Sequence, residues 1–579
     1  MTDKNRILAI NPGHNGSAAY VVDGELIFYS EEERLSRNKY DGNPFMSMLE
    51  AIKLGVDVLV IGGTTTEYSK LPWTGEDAYT ALVRKFNPKV RVILLGHEHH
   101  LGHASCAFYN SGFESAVAVI VDGSGSHHSF AQDEQGTGQV GGFETESIYK
   151  CAYPAQFDKV HKTYGTNENV FNNIPKNAGF DVSNSLTIVK AYESVTHYLG
   201  FGYIEAGKTM GLAPYGKSDE KLENLFIDGK GNKNYFIPNY PAGGFINTQI
   251  NDYLKKTDES NDWHRDPSLV TDVAKNLAWR VQHDTQEFVG NLIEQAVDST
   301  GETNVVIAGG YGLNCVANYY LQKRFPNLNL YFEPIAHDGG TSIGMAKLVH
   351  HSENQDSTIR PLKSLYLGVH VPENYDEIDN LEGAEISEVS YKDIAKLIAD
   401  RNIVALFQGR SEAGPRALGN RSILYDPRDI NGKDHVNKVK GREWFRPFAG
   451  SMLAEKFDEW FETAGLKEAP HMMYAIDFKA DKYGDVPAIT HVDGTCRIQT
   501  VTSEQNTHYY NLIKEFDALT GVPILFNTSF NLAGEPLVET LADAIHTMKN
   551  SNIEYLYLPE VSKLLKIDRV HQVEVELVD

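Results

Sequence analysis

Ile7-Leu8-Ala9-Ile10-Asn11-Pro12-Gly13-His14-Asn15-Gly16 is the stretch on which the reading of this 579-residue chain turns. Four apolar residues in a row read as a buried strand, and Asn-Pro-Gly then stops it. Ala18 to Val22 and Glu25 to Tyr29 flank Asp23-Gly24, a pair whose tolerance of positive φ marks a tight hairpin. The expected unit is a strand, a small polar loop carrying His14, and a returning hairpin.

That order is how the actin, sugar-kinase and heat-shock-chaperone ATPases begin. Working outward, Val58 to Ile61 and Val90 to Leu95 read as further strands, the first stopped by Gly62-Gly63. Leu186, Val189, Tyr192, Val195 and Tyr198 form a helical stripe that Gly200 ends. Val273, Leu277, Val281, Phe288 and Leu292 form the stripe of a long helix that stops before Gly301. The strand Val305 to Ala308 then opens onto Gly309-Gly310-Tyr311-Gly312-Leu313-Asn314. Helix, strand and di-glycine turn resemble the nucleotide-binding turn in the second half of the same ATPase fold. Gly309, Gly310 and Asn314 are therefore candidate ligand contacts.

The Val90–Leu95 strand leads into Gly96-His97-Glu98-His99-His100-Leu101-Gly102-His103, four histidines in seven positions. If His99 and His103 start a helix, their spacing puts both imidazoles on one face. Asp122 ends the apolar run Val119-Ile120-Val121, and Asp338 stands in the similar setting Ala336-His337-Asp338-Gly339-Gly340. Two histidines and two aspartates make a candidate N₂O₂ site for a divalent metal. Glu31 to Arg37 mixes charges as a solvated helix does, and Asn38 to Gly42 is a loop that can equally face a ligand.

A formal net charge of −25 disfavours long duplex DNA and anionic membrane as partners, while leaving room for a local basic pocket. The four cysteines are far apart and form no CxxC pair, which points to a reducing cytoplasm. Neither a signal-peptide pattern nor a bilayer-length apolar run is present. Asp219 to Asp262 is polar and reads as an insertion. The polar, aperiodic stretch His350 to Arg360 marks a linker, so the expected domains are 1–355 and 362–579, joined by 356–361.

The second of these is basic where chemistry is expected. Gly409-Arg410-Ser411-Glu412-Ala413-Gly414-Pro415-Arg416-Ala417-Leu418-Gly419-Asn420-Arg421 holds three arginines in a glycine-containing loop, and Lys440, Arg442, Arg446 and Arg497 follow. In an acidic protein, arginines in turn-rich segments suit bidentate recognition of phosphate or carboxylate. Gly207 to Gly216 reads as a glycine-rich loop in which Lys208 offers a point charge. Pro523 to Phe526 is an apolar strand emerging into Asn527, Ser529 and Asn531, amide and hydroxyl groups able to bind a base, ribose or phosphate.

Taken together, these motifs resemble the NodU/CmcH-type O-carbamoyltransferase family over nearly the whole chain. The most specific matches are His99 to Ala104, Gly207 to Gly216, Gly409 to Arg428, Lys440 to Phe448 and Phe526 to Asn531. The resemblance implies an α/β protein: a two-lobed actin-like ATPase fold similar to the tRNA threonylcarbamoyl-transfer protein, then a YrdC-like open α/β domain. It implies that the second domain joins carbamoyl phosphate to Mg(II)-ATP, giving carbamoyl-adenylate and pyrophosphate. The first then passes the carbamoyl group to a hydroxyl of a small molecule, nucleoside or nucleotide. His99, His103, Asp122 and Asp338 match the family's metal ligands, with Fe(II) the implied ion. Arg416, Lys440, Arg446, Arg497, Asn527, Ser529 and Asn531 match the adenylate-forming pocket, and His14 falls near the expected acceptor. Two other functions compete: a sugar-kinase-like phosphotransferase, which leaves the arginine-rich half idle, and a metal-bound regulatory ATPase.

Overall fold

The computed structural model describes residues 5–131, 139–168, 179–255, 261–369 and 383–567, together with 375, 378 and 381. The opening stretch folds as its residues require. Strand β1 (Arg6–Asn11) is followed by the hairpin β2 (Ser17–Val22) and β3 (Glu25–Glu31), with Asp23 and Gly24 both at positive φ. Strands β4 (Val58–Ile61) and β5 (Arg91–Leu94) add in parallel, giving the order β3-β2-β1-β4-β5.

The second sheet repeats this plan. It comprises β6 (Ser115–Val121), β7 (His127–Ala131), β8 (Gln139–Ala152), β9 (Gln156–Gly165) and β10 (Phe180–Ser183). The insertion contributes two short ribbons, β11 (Phe226–Ile227) with β12 (Lys230–Gly231) and β13 (Phe236–Ile237) with β14 (Phe245–Ile246); its residues 256–260 lie outside those described. β15 (Asn304–Ala308) and β16 (Asn329–Phe332) complete the sheet, whose central order is β9-β8-β6-β15-β16. In both sheets two antiparallel pairings are followed by two parallel ones. This duplicated sheet is the two-lobed actin-like plan. β6 and β15 are buried on both faces and accordingly read as continuous Val/Ile/Ala runs.

Helices follow the last strand of each lobe: His99–Ser111 after β5 and Gly340–Asn354 after β16. They cross at glycines. A Cβ on Gly344 would lie 2.0 Å from the Gly102 carbonyl oxygen, so only glycine permits this approach. The crossing sets the start of one helix beside the start of the other. The long helix Asp272–Thr300 runs as its stripe predicts, capped by the Thr271 side chain and ended by left-handed Gly301.

The third sheet contains β17 (Ala384–Glu388), β18 (Val404–Phe407), β19 (Arg421–Tyr425), β20 (Ala449–Leu453), β21 (Ala475–Asp477), β22 (Thr495–Val501), β23 (Ile524–Ser529), β24 (Tyr555–Leu558) and β25 (Lys563–Ile567). Its order is β17-β25-β24-β18-β19-β23-β20-β22-β21, a mixed open sheet as expected of an α/β domain.

Three local expectations are corrected. Glu31, Glu32, Glu33 and Arg34 are buried rather than solvated, because each charge has local work. Glu32, for example, accepts the Met46 and Ser47 amides that open the helix Phe45–Ile52. Gly207 to Gly216 is a helix, Ala206–Leu212, and a following turn. His350 to Asn354 continues a helix, with His350 and His351 buried and Asp356 paired to His350 and Arg360; no helix or strand covers 356–364.

Candidate functional site

Two chemical centres lie where the sheets meet. The first gathers His99, His103, Asp122 and Asp338, whose ligand atoms all fall within 4.8 Å of one another. His99 and His103 share one face of the first helical turn, Asp122 directly follows β6, and Asp338 precedes the helix Gly340–Asn354. His99 Nε2 is 3.2 Å from His103 Nε2 and 3.7 Å from both Asp122 Oδ2 and Asp338 Oδ1; His103 Nε2 is also 3.7 Å from Asp338 Oδ1.

Ligands about 2.0–2.2 Å from one ion stand roughly 3–3.6 Å apart, so this donor set fits a divalent metal. His99 Nδ1 faces the Gly63 carbonyl at 3.3 Å, so in the neutral ring Nδ1 carries the proton and Nε2 is the nitrogen left for a metal. Burial disfavours charge here, yet the two carboxylates raise His99 well above its ordinary pKa, and the imidazoles hold Asp338 and Asp122 well below theirs. Buried Asp122 and half-buried Asp338 carry the charge that a divalent ion would neutralise. His100, the other buried histidine of this helix, does not join. Its Nδ1 pairs with Ser147 Oγ at 2.7 Å, and burial pushes its pKa to about 3, leaving it neutral.

The second centre is a cavity of about 430 Å³ between the first two lobes and the third sheet. Lys208, Arg416, Lys440, Arg442, Arg446 and Arg497 line it, with Asn527, Ser529 and Asn531. Sheet register explains part of its wall: Ala475, Arg497, Ala449 and Asn527 follow one another across β21, β22, β20 and β23. Small Ala449 leaves room between the two long polar side chains.

The cavity's charge is poorly compensated. Burial, with Arg497 and Arg446 nearby, depresses Arg416 to about 9; burial, Arg446 and Arg497 hold Arg442 well below its usual range. Lys440 is likewise depressed by burial, Arg442 and Arg446, while its Nζ donates to the carbonyls of Ser529 and Asn531. Glu443 offsets only part of this, pairing with Lys208 at 2.7 Å and Arg446 at 3.4 Å. Arg416 Nε and Arg497 Nε have no hydrogen-bond partner among the described residues. Such a site favours a polyanion.

Other expected contacts lie elsewhere. Arg410 and Arg421 do not line the cavity. Arg410 donates to the Gly368, Leu367 and Ile27 carbonyls, and fully buried Arg421 donates to those of Gln408, Gly409, Asn420 and Glu539. Their guanidinium groups are spent on holding the loop, a use that spacing does not distinguish from anion binding. Gly309 and Gly310 support Asp122: Gly310 N–H donates to its Oδ1 at 3.0 Å, and a Cβ on Gly309 would strike the Val121 carbonyl. Asn314 caps the helix Cys315–Arg324 and bonds Gln282. His14 is exposed and packs against Tyr40, ring centres 5.8 Å apart, outside the four-residue cluster.

Sequence reasoning missed several participants. Lys39 and Tyr40, from the ambiguous 38–42 loop, line the cavity. His337, beside Asp338, accepts the Gly339 N–H at Nδ1 and meets Glu31 at 2.8 Å through Nε2, fixing the loop that carries the aspartate. Arg34 reaches from the first lobe to the Gly414 carbonyl at 2.6 Å. The clustered charges of 31–34 were a signal, but only their burial reveals the role.

Comparison with known proteins places these centres in context. A family model described as Carbamoyltransferase N-terminus matches residues 64–347, and Carbamoyltransferase C-terminus matches 395–563. Nodulation protein NolNO of Sinorhizobium fredii is 31% identical, over 94% of this chain and 78% of its own. Nodulation protein NolO of Bradyrhizobium diazoefficiens is 33% identical, over 79% and 77%. Among solved structures, T. kodakarensis HypF aligns at 14% identity with a TM-score of 0.34, covering 60% of this chain and 48% of that one. No helix among the described residues is long and apolar enough to cross a membrane.

Proposed function

This chain belongs to the carbamoyltransferase family and is a carbamoyltransferase; from that premise we propose that it is an ATP-dependent O-carbamoyltransferase working through two centres. In residues 362–579 one water cleaves carbamoyl phosphate to carbamate and phosphate, and a carbamate oxygen then attacks the α-phosphorus of Mg(II)-ATP, forming carbamoyl-adenylate as the bond to pyrophosphate breaks. Residues 1–355 transfer the carbamoyl group to a hydroxyl of a small molecule, nucleoside or nucleotide, releasing AMP.

The observation that carries this reading is the crowd of mutually depressed cations, half-buried arginines around buried Lys440, in a cavity of about 430 Å³. Arg416, Arg442 and Arg497 hold phosphoryl and carbamoyl oxygens, and the planar fork of each fixes orientation. Lys440, pinned by two carbonyls, places a point charge where negative charge develops as pyrophosphate leaves. Enclosure by lobes and sheet keeps water from a hydrolysis-prone intermediate.

His99, His103, Asp122 and Asp338 would hold a divalent metal, Fe(II) by the family resemblance, which would supply a Lewis acid to the carbamoyl carbonyl or the acceptor oxygen.

The deciding experiment incubates the protein with ATP and carbamoyl phosphate and resolves the nucleotide products. AMP and pyrophosphate, formed only with carbamoyl phosphate, support adenylation. ADP as the product points instead to phosphotransfer and ends this reading.

A further inference from the structure

We propose that Asn527 is the residue by which the cavity recognises a carbamoyl group, its Oδ1 accepting a hydrogen bond from the carbamoyl amino group. The inference rests on the reading above, in which this cavity seats carbamoyl phosphate.

Asn527 is fully buried on β23 and belongs to the residues that form the cavity wall. Its Nδ2 donates to the Ala417 carbonyl at 3.2 Å and to Ser451 Oγ at 2.9 Å. A carbonyl only accepts, so the amide nitrogen must point that way and Oδ1 the other. The Ser451 hydroxyl gives its own proton to Gln499 Oε1 at 2.7 Å, and Gln499 Nε2 donates to the Leu418 carbonyl at 2.9 Å. Every link has one permitted sense, and Ser451, Gln499 and Asn527 are all buried. The chain locks the amide, and Oδ1 is left without a partner among the described residues.

The cations around it offer only N–H donors. They bind the phosphate and carbonyl oxygens of acetyl phosphate as well as those of carbamoyl phosphate. The two compounds differ in one group, a methyl against an amino group with two donors. A methyl against Oδ1 leaves a buried acceptor unpaired, and a site built to pair a substrate N–H rejects the analogue that lacks it. Among the described residues, the other buried acceptor on the wall without a partner is His491 Nδ1, whose Nε2 faces the Gly211 carbonyl at 3.1 Å. It lies against Tyr215, outside the strand register that places Asn527 in line with Arg497.

The test is carbamoyl-phosphate-dependent exchange of pyrophosphate into ATP, with acetyl phosphate as competitor. In the unaltered protein, the inhibition constant for acetyl phosphate should exceed the KM for carbamoyl phosphate by about 100-fold. Asn527→Ala should raise that KM by about tenfold or more and leave acetyl phosphate inhibition within about twofold, because the cations remain. Ser451→Ala, which keeps Asn527 but unlocks its amide, should narrow the preference part of the way. Retained preference in Asn527→Ala overturns the inference, as does a parallel loss for both phosphates. Collapse in His491→Phe instead moves the role to that residue. If the unaltered protein catalyses no such exchange, the adenylation reading fails and this inference with it. If it does, and Asn527→Ala discriminates normally, only this inference fails.

Discussion

Arg416 Nη2 donates to the Leu313 carbonyl oxygen at 3.1 Å, from the third sheet's loop to the turn that supports Asp122. Three residues earlier in that turn, Gly310 N–H holds Asp122 Oδ1. One tight turn, Gly310–Leu313, thus separates the cationic cavity from the His₂Asp₂ cluster. The two centres are mechanically adjacent, although their residues come from opposite ends of the chain.

Arg416→Lys keeps a cation but loses the planar fork. Pyrophosphate exchange should fall more than about tenfold, the cost of one charge-assisted hydrogen bond of roughly 2 kcal/mol. Metal content should hold, because Gly310 still supports Asp122. Elemental analysis beside the exchange assay checks both, and a metal-depleted variant would mean that the turn itself depends on Arg416.

The purified protein should carry about one divalent metal per chain. His99→Ala should lose it together with acceptor carbamoylation, while pyrophosphate exchange stays within about twofold, since that chemistry sits in the other centre. A metal-free variant with full transfer activity would remove the metal from the mechanism.

Arg421 and Arg442 should respond oppositely to methionine. Arg421→Met takes the side-chain donor from the Gln408, Gly409 and Glu539 carbonyls, while the Asn420 carbonyl keeps the Gln408 N–H, and should destabilise by about 3 kcal/mol or more. Arg442→Met removes a half-buried cation that its neighbours already disfavour, so melting temperature should hold or rise slightly. Protection by pyrophosphate should shrink in Arg442→Met. Thermal melts with and without pyrophosphate separate the two cases.

Glu146 is fully enclosed, and burial raises its pKa to about 7 despite hydrogen bonds from Thr145 and the Ile188 amide. Between about pH 4.5 and 7 the folded chain holds a proton that the unfolded chain has released, so stability falls as pH rises. Above about 7 the penalty is complete, on the order of 3 kcal/mol. Glu146→Gln should therefore be more stable than the parent at pH 8 and equal to it near pH 4.5. An equal gap at both pH values in melting experiments would locate the effect in packing.

Much of the architecture was legible in local sequence. The Asp23-Gly24 hairpin, the stop at Gly301 and the His99/His103 spacing each depend on neighbours within one turn or strand, which pattern reading sees. The arginines were harder. Arg410, Arg416, Arg421 and Arg497 look alike as sequence, yet two are saturated by backbone carbonyls and two carry unpartnered Nε atoms. That difference is one of environment, set by which loops close over each guanidinium.

The sequence by itself determined the opening strand-and-hairpin unit, the family motifs and the residue types needed for a metal and a polyanion. Periodicity, turn chemistry and side-chain charge are properties of short stretches. Only the tertiary structure decided that helices crossing at Gly102 and Gly344 bring Asp338 to His99, and that Leu313 joins this cluster to Arg416. It also decided that a buried hydrogen-bond chain leaves Asn527 Oδ1 unpaired. Such proximities are settled by close packing between segments hundreds of residues apart, on which local propensity is silent.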